Sequence, residues 1–337
     1  MATVIGDIHN SRILNKRFQI DVFASYIDGR LPVRILYSVY AYLKFLTLYK
    51  KYDLFHIHTA SYGSTFRKYC YLKVIKKAGK KAVVHIHGAK YLVFYEHLGS
   101  FGKKIVLRYL NGADMVLALS ESWKKKFDSV FHLENCRVLE NGINQEKFSE
   151  AAGTQEEETP AFAVLGRLGK RKGTYDLLEA LETAVKQAPG LRCYLAGDGE
   201  TDKAKEIIKN KGLEKNADVL GWIGPEETIR LLKKVSVVVL PSYNEGLPMS
   251  VLEGMAAGKA VISTRVGAIP EVIGEENGIL IEPGDQQALA AALVWCCGNR
   301  EEIRKMSANN IEKIQTQFSL ERMHGKLAEY YEECSGL

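Results

Sequence analysis

Two glutamates, Glu245 and Glu253, stand on either side of a turn-to-helix junction. The stretch 241–258 reads Pro-Ser-Tyr-Asn-Glu-Gly-Leu-Pro-Met-Ser-Val-Leu-Glu-Gly-Met-Ala-Ala-Gly. Ionised carboxylates accept hydrogen bonds from hydroxyls. Between the two, the amides of Gly246, Leu247 and the first helical residues offer unpaired N–H groups and the positive end of a helix dipole, which suit a phosphate. Together these groups fit a sugar linked to a nucleoside diphosphate. A helix cap beside a surface glutamate would use the same residues, and this stretch alone leaves both readings open.

A second cluster is Gly166-Arg167-Leu168-Gly169-Lys170-Arg171-Lys172-Gly173. Four cations in a glycine-rich loop between a strand and a helix make an anion cradle. The loop lacks the Gly-Lys-Ser/Thr ending of a nucleotide-hydrolysing P-loop, so ATP hydrolysis is not indicated. Arg167 and Lys172 would neutralise a diphosphate without a metal.

Four histidines form two His-x-His pairs, His56/His58 and His85/His87. Residues i and i+2 of a strand share a face, so a metal site is conceivable. The bland assignment, structural histidines with satisfied ring nitrogens, is preferred for His56, His58 and His85. His87, followed by Gly88 at a strand end, is the one placed for function.

The elements that must position these groups alternate. The apolar run Val235 to Leu240 predicts a buried parallel strand, Pro248 a helix start and Gly258 its end. In the first half, Val4–Lys16 reads as a helix, Phe18–Ala24 as the first strand and Leu31–Lys51 as a long apolar helix. Strands over Asp53–His58, Lys81–His87 and Asp114–Leu119 alternate with helices over Ser64–Ala78, Phe101–Asn111 and Glu121–Phe131. In the second half, strands Ala161–Leu165, Leu191–Ala196, Ala217–Leu220, Ala260–Ser263 and Gly278–Ile281 continue the pattern. This is an α/β chain with two doubly wound parallel-sheet domains. The first spans 1–150. The polar stretch Glu150–Pro160 is the linker, the second domain spans 151–318, and a helix over 319–337 packs back toward the first.

At 337 residues, two cores are the expectation. Net charge is +6 but uneven: residues 1–150 hold 24 Lys+Arg against 12 Asp+Glu, and residues 151–337 hold 22 against 28. The basic half suits an anionic substrate or an anionic membrane surface. Nucleic acid is not expected, because no nucleic-acid motif accompanies the charge. The six cysteines include no Cys-x-x-Cys pair, which points to reduced thiols, a cytoplasmic location and no zinc site. No apolar run is long enough to span a bilayer and no secretory leader is recognised.

Gly166-Arg167…Lys172-Gly173, Glu245…Glu253, Asn141-Gly142-Ile143 and Val266-Gly267…Pro270-Glu271 together resemble the family-four retaining glycosyltransferases. The resemblance covers nearly the whole chain and is strongest over 136–290. It implies the GT-B fold, two Rossmann-like domains facing across a cleft. It implies a metal-independent, cofactor-free transfer from a nucleoside-diphosphate sugar, with UDP the first choice, to a glycan or lipid-linked acceptor in polysaccharide or glycolipid synthesis. The protein would then be cytoplasmic and peripheral on the membrane. By resemblance, Arg167 and Lys172 hold the donor diphosphate, with Gly166 in the same loop. Glu245 holds hydroxyls of the transferred sugar, Glu253 the ribose hydroxyls, and the Gly246 and Leu247 amides support sugar and phosphate. Ile223 meets the base and His87 contacts the donor sugar. The family's first strand and its Gly-Gly loop are not recognisable before Val4, so an incomplete acceptor site or a sugar-nucleotide-binding protein without catalysis stays open. A sugar-nucleotide epimerase of the same fold is the other alternative, disfavoured by the Arg167/Lys172 and Glu245/Glu253 set.

Overall fold

The computed structural model describes residues 1–152 and 160–336. These form two compact units, one of residues 1–141 with 320–337 and one of residues 142–319. Each is a parallel sheet with helices in its connections.

In the first unit the strands are β1 (Leu54–Thr59), β2 (Lys81–Ile86), β3 (Met115–Ala118) and β4 (Cys136–Val138), paired in chain order. β3 is wholly apolar and buried, and β2 is buried and apolar apart from the exposed Lys81 and the buried His85, much as parallel strands covered on both faces are. The core gathers Val84, Ile86, Val116 and Ala118 with Tyr91, Tyr109, Phe127 and Phe131. The C-terminal helix Leu320–Ser335 belongs to this unit: Tyr330 Oη donates to the Val138 carbonyl at 2.9 Å, and Lys326 meets Glu140 at 3.0 Å.

Three expectations for this half need correction. Phe18–Ala24 forms no strand, because it pairs with no neighbour. Its aromatics dock instead, Phe18 on Tyr331 and Phe23 on Phe45 and Tyr71. Val4–Lys16 is two short helices, Ala2–His9 and Arg12–Asn15, because Ser11 caps the second by accepting from the Leu14 amide. The boundary lies at 141/142 rather than 150/151, because the 3-10 turn Gln145–Ala151 packs on the helix Pro225–Lys233. There Lys233 pairs with Glu150 at 2.9 Å, and Ala151 joins Leu231, Leu232 and Val235 in one cluster. Residues 153–159 of the expected linker lie outside the described residues.

The second unit holds β5 (Ala161–Leu165), β6 (Arg192–Ala196), β7 (Ala217–Gly221), β8 (Val237–Leu240), β9 (Ala260–Thr264) and β10 (Gly278–Ile281). Their order across the sheet is β10-β9-β8-β5-β6-β7, all parallel. The chain winds outward one way from β5 through β7, then returns to the other side of β5 with β8. Open sheets of this kind bind ligands beyond the strand C-termini, where the winding reverses. That point is the junction of β5 and β8.

Candidate functional site

The two glycine-bearing loops leave the sheet from neighbouring strands at this reversal. Residues 166–173 follow β5 and residues 241–248 follow β8. One backbone bond joins them, and two further bonds anchor the second loop to β9 and the residues after it. The Tyr243 amide donates to the Arg171 carbonyl at 3.0 Å, and Thr264 Oγ1 donates to the Ser242 carbonyl at 2.6 Å. The Ala268 amide donates to the Gly246 carbonyl at 2.9 Å. Within the first loop, the Gly169 amide donates to Thr174 Oγ1 at 2.9 Å.

Gly173 is where the loops touch. Its φ of +69° is left-handed, and a Cβ there would collide with the Pro241 carbonyl. A methyl group meets backbone on one side and a disfavoured dihedral on the other. Gly173→Ala is therefore expected to lose more than about 1 kcal/mol of stability. Urea unfolding of the variant checks this, and an unchanged midpoint would contradict the contact.

The loops bring Lys172 to Glu245. Lys172 Nζ lies 2.7 Å from Glu245 Oε1, and the two side chains are 13% and 9% exposed. Arg171, which the sequence reading passed over, also reaches this carboxylate at 3.4 Å and donates to the Asn244 carbonyl at 3.0 Å. Arg167 does not join them. Its guanidinium pairs with Asp198 at 3.1 Å on the exposed side of the loop. Asp198 sits in Gly197-Asp198-Gly199 after β6, the strand next to β5, so strand adjacency was the signal that could have found it. Gly197 packs so closely on the Gly166 carbonyl that a side chain would be excluded.

Glu253 lies on the helix Met249–Ala256, which starts after Pro248. The helix is seated on the sheet by Gly254, whose Cα lies against Val238 with no room for a Cβ. Burial raises the Glu253 carboxyl above the usual carboxylate range, and no cation or hydrogen-bond donor among the described residues offsets it. A half-buried acceptor of this kind is suited to donors from a ligand. Leu247 is buried, and Ile223 is half-buried on the loop after β7.

His87 lies in the first unit, just past the end of β2. Its Nε2 is 2.8 Å from His58 Nδ1. His58 stands opposite His85 in the β1–β2 register, and His56 Nε2 is 3.3 Å from His85 Nδ1. The four rings touch as one group, His56 stacked on His58 and His85, His58 stacked on His87, and burial drives each below the usual imidazole range. The expectation that only His87 was set apart for function did not foresee this quartet.

Among the described residues, no helix is long and apolar enough to cross a membrane. All six cysteines are free.

Comparison with known proteins places both halves. The description of glycosyl transferases group 1 matches residues 145–313, and that of Glycosyltransferase Family 4 matches residues 9–147. The amylovoran biosynthesis glycosyltransferase AmsK of Erwinia amylovora is 28% identical, over 71% of this chain and 61% of its own. TuaC of Bacillus subtilis is 29% identical, over 66% of this chain and 57% of its own. The chain thus spans about 60% of the length of such curated relatives. Among solved structures, sucrose-phosphate synthase from Thermosynechococcus elongatus superposes with a TM-score of 0.74 at 22% identity, covering 91% of this chain and 80% of that one. HepE of Anabaena, solved with UDP-glucose, gives 0.73 at 21% identity, covering 87% and 82%. The fold is that of the GT-B glycosyltransferases.

Proposed function

Because the chain belongs to the group 1 glycosyl transferases, with a Family 4 glycosyltransferase half before it, we propose that it transfers a sugar from a nucleoside-diphosphate sugar to a glycan or lipid-linked acceptor hydroxyl. One observation carries the reading: at the β5/β8 reversal, two loops set Lys172, Arg171 and Glu245 in contact, and the unpartnered Glu253 lies on the helix that follows the second loop.

In this reading the diphosphate lies over residues 166–173. Lys172 and Arg167 take up its charge, Arg167 by leaving Asp198. The Gly246 and Leu247 amides and the start of the helix Met249–Ala256 add dipoles of the same sign. Glu253 accepts from the ribose hydroxyls, Glu245 from hydroxyls of the sugar, and Ile223 packs against the base. The bond from the anomeric carbon to the leaving phosphate oxygen breaks, and a bond to the acceptor oxygen forms. The acceptor's proton goes to the departing diphosphate. Charge that develops on the leaving oxygen meets Lys172 and the amide dipoles already in place, with Arg167 joining from Asp198, so the chemistry is assigned to side chains rather than to a divalent ion. Attack of the acceptor from the face that the diphosphate leaves would retain the anomeric configuration with no carboxylate nucleophile.

UDP is the first nucleotide to test, being the one bound in HepE. AmsK supports a polysaccharide product. The helix Leu31–Leu48 exposes Leu36, Val39, Tyr40 and Leu43 beside Arg34 and Lys44, which supports a lipid-linked acceptor presented on an anionic surface.

The test is release of free UDP from a panel of UDP-sugars, with soluble oligosaccharide or with lipid-linked glycan in anionic vesicles. Release that requires an acceptor is expected. Binding of the donor with no release under any condition would favour a sugar-nucleotide-binding protein. Conversion of the free UDP-sugar to its epimer would favour the alternative enzyme.

A further inference from the structure

Three histidines of the first unit, His56, His58 and His85, are assigned no role toward the donor, and their geometry points to a second site. We propose that His56, His58 and His85 bind a divalent late first-row metal ion of the zinc class, on the face of β1 and β2 that they share.

The three residues each offer a ring nitrogen, and these atoms lie within 4.8 Å of one another. Two details single out the ligand atoms. His56 Nε2 and His85 Nδ1 face each other at 3.3 Å. That is long for a hydrogen bond between ring nitrogens. It is close to the separation of two nitrogens bound tetrahedrally to one zinc at about 2.0–2.1 Å each. The other nitrogen of His56 is 2.6 Å from Tyr331 Oη. A ligating histidine commonly donates its second N–H to such an oxygen, which fixes the tautomer and the ring. Here the phenol comes from the helix Leu320–Ser335, is itself buried, and holds the ring that would carry the ion.

Ligation through Nδ1 leaves the fully buried Nε2 of His85 without a partner, just as a hydrogen bond to His56 does. His85 is wholly buried, whereas His56 and His58 are only partly so. β1 is the edge strand, so an ion could reach the ring nitrogens from that side. Imidazoles without carboxylates select zinc, copper or nickel over magnesium or calcium. His87, bonded to His58 at 2.8 Å, orients that ring. Lys68 donates to the His58 carbonyl, which fixes the strand behind it.

The site lies within one unit and its proposed role is structural, so it stands or falls separately from the donor reading. The probe is Co2+, followed by Zn2+ in competition, added to the full chain without a polyhistidine tag after chelator treatment. The expected result is the visible spectrum of four- or five-coordinate cobalt, saturating at a single ion per chain and displaced by Zn2+. The double variant His56→Gln, His85→Gln is expected to abolish the bands. Should that variant misfold, Tyr331→Phe keeps every ring and the packing, and is expected to weaken metal affinity by about tenfold. A spectrum that stays that of hexaaqua cobalt would overturn the proposal. So would bands of unchanged affinity in Tyr331→Phe, which would trace binding to the exposed His9, His97 or His132.

Discussion

Replacing Lys172 with alanine is expected to lower kcat of sugar transfer by about 10²–10³-fold, the effect of removing one preorganised donor from a developing negative charge. The position of the lysine carries the argument. Its ammonium is mostly buried against Glu245 and lies on the loop that follows β5 at the reversal of the sheet. Charge on the leaving diphosphate grows as the bond to the sugar breaks, so a fixed cation stabilises the transition state more than the bound donor. Turnover should therefore fall further than donor affinity. Lys172→Arg should recover only part of the loss, because a planar guanidinium cannot sit where a compact ammonium contacts one carboxylate oxygen. Arg167→Ala should have a smaller effect, since Arg167 is two-thirds exposed and must first leave Asp198. Steady-state kinetics with saturating acceptor decides the matter. A Lys172→Ala enzyme with wild-type turnover would remove the lysine from the chemistry.

The second large effect is on binding. Glu253→Ala is expected to weaken affinity for the nucleoside diphosphate by roughly 10–100-fold, because hydrogen bonds to a charged acceptor contribute about 1.5–3 kcal/mol each. Burial without a partner leaves this carboxyl poorly solvated in the free protein, and two vicinal ribose hydroxyls would relieve that. The effect should be smaller for a 2′-deoxy nucleotide, which offers only one of the two hydroxyls. Calorimetry with the ribo and deoxy forms measures both quantities. Equal affinities for wild type and variant would place the ribose elsewhere.

Much of this site could be read from residue order. A β-branched run followed by a glycine-bearing loop marks a buried strand and its exit, and that pattern placed both loops correctly at strand ends. What the order could not show is which exits are neighbours. Pairing of β5 with β8, across more than seventy residues of chain, is what brings Lys172 to Glu245. Arg171 thereby reaches Glu245 while Arg167 faces Asp198, a choice set by the 3-10 turn Lys170–Lys172 between two positive-φ glycines. In the loop, four cations within six residues look alike until that turn is known.

The same limit explains the misreadings. Phe18–Ala24 alternates as a strand does but has no partner to pair with, so its rings pack on aromatic neighbours instead. The polar run after residue 150 looks like a linker, yet the units divide where few contacts cross, at 141/142 and again at 319/320. The two His-x-His pairs were visible, but the register that sets His58 against His85 was not.

The central claim is that a diphosphate is held over residues 166–173 at the β5/β8 reversal, between Glu245 and Glu253. A crystal structure of the protein soaked with UDP tests it most directly. The account predicts phosphate oxygens within hydrogen-bond distance of Lys172 Nζ and the ribose hydroxyls on Glu253. A nucleotide bound away from that junction, with Lys172 still paired only to Glu245, would contradict it.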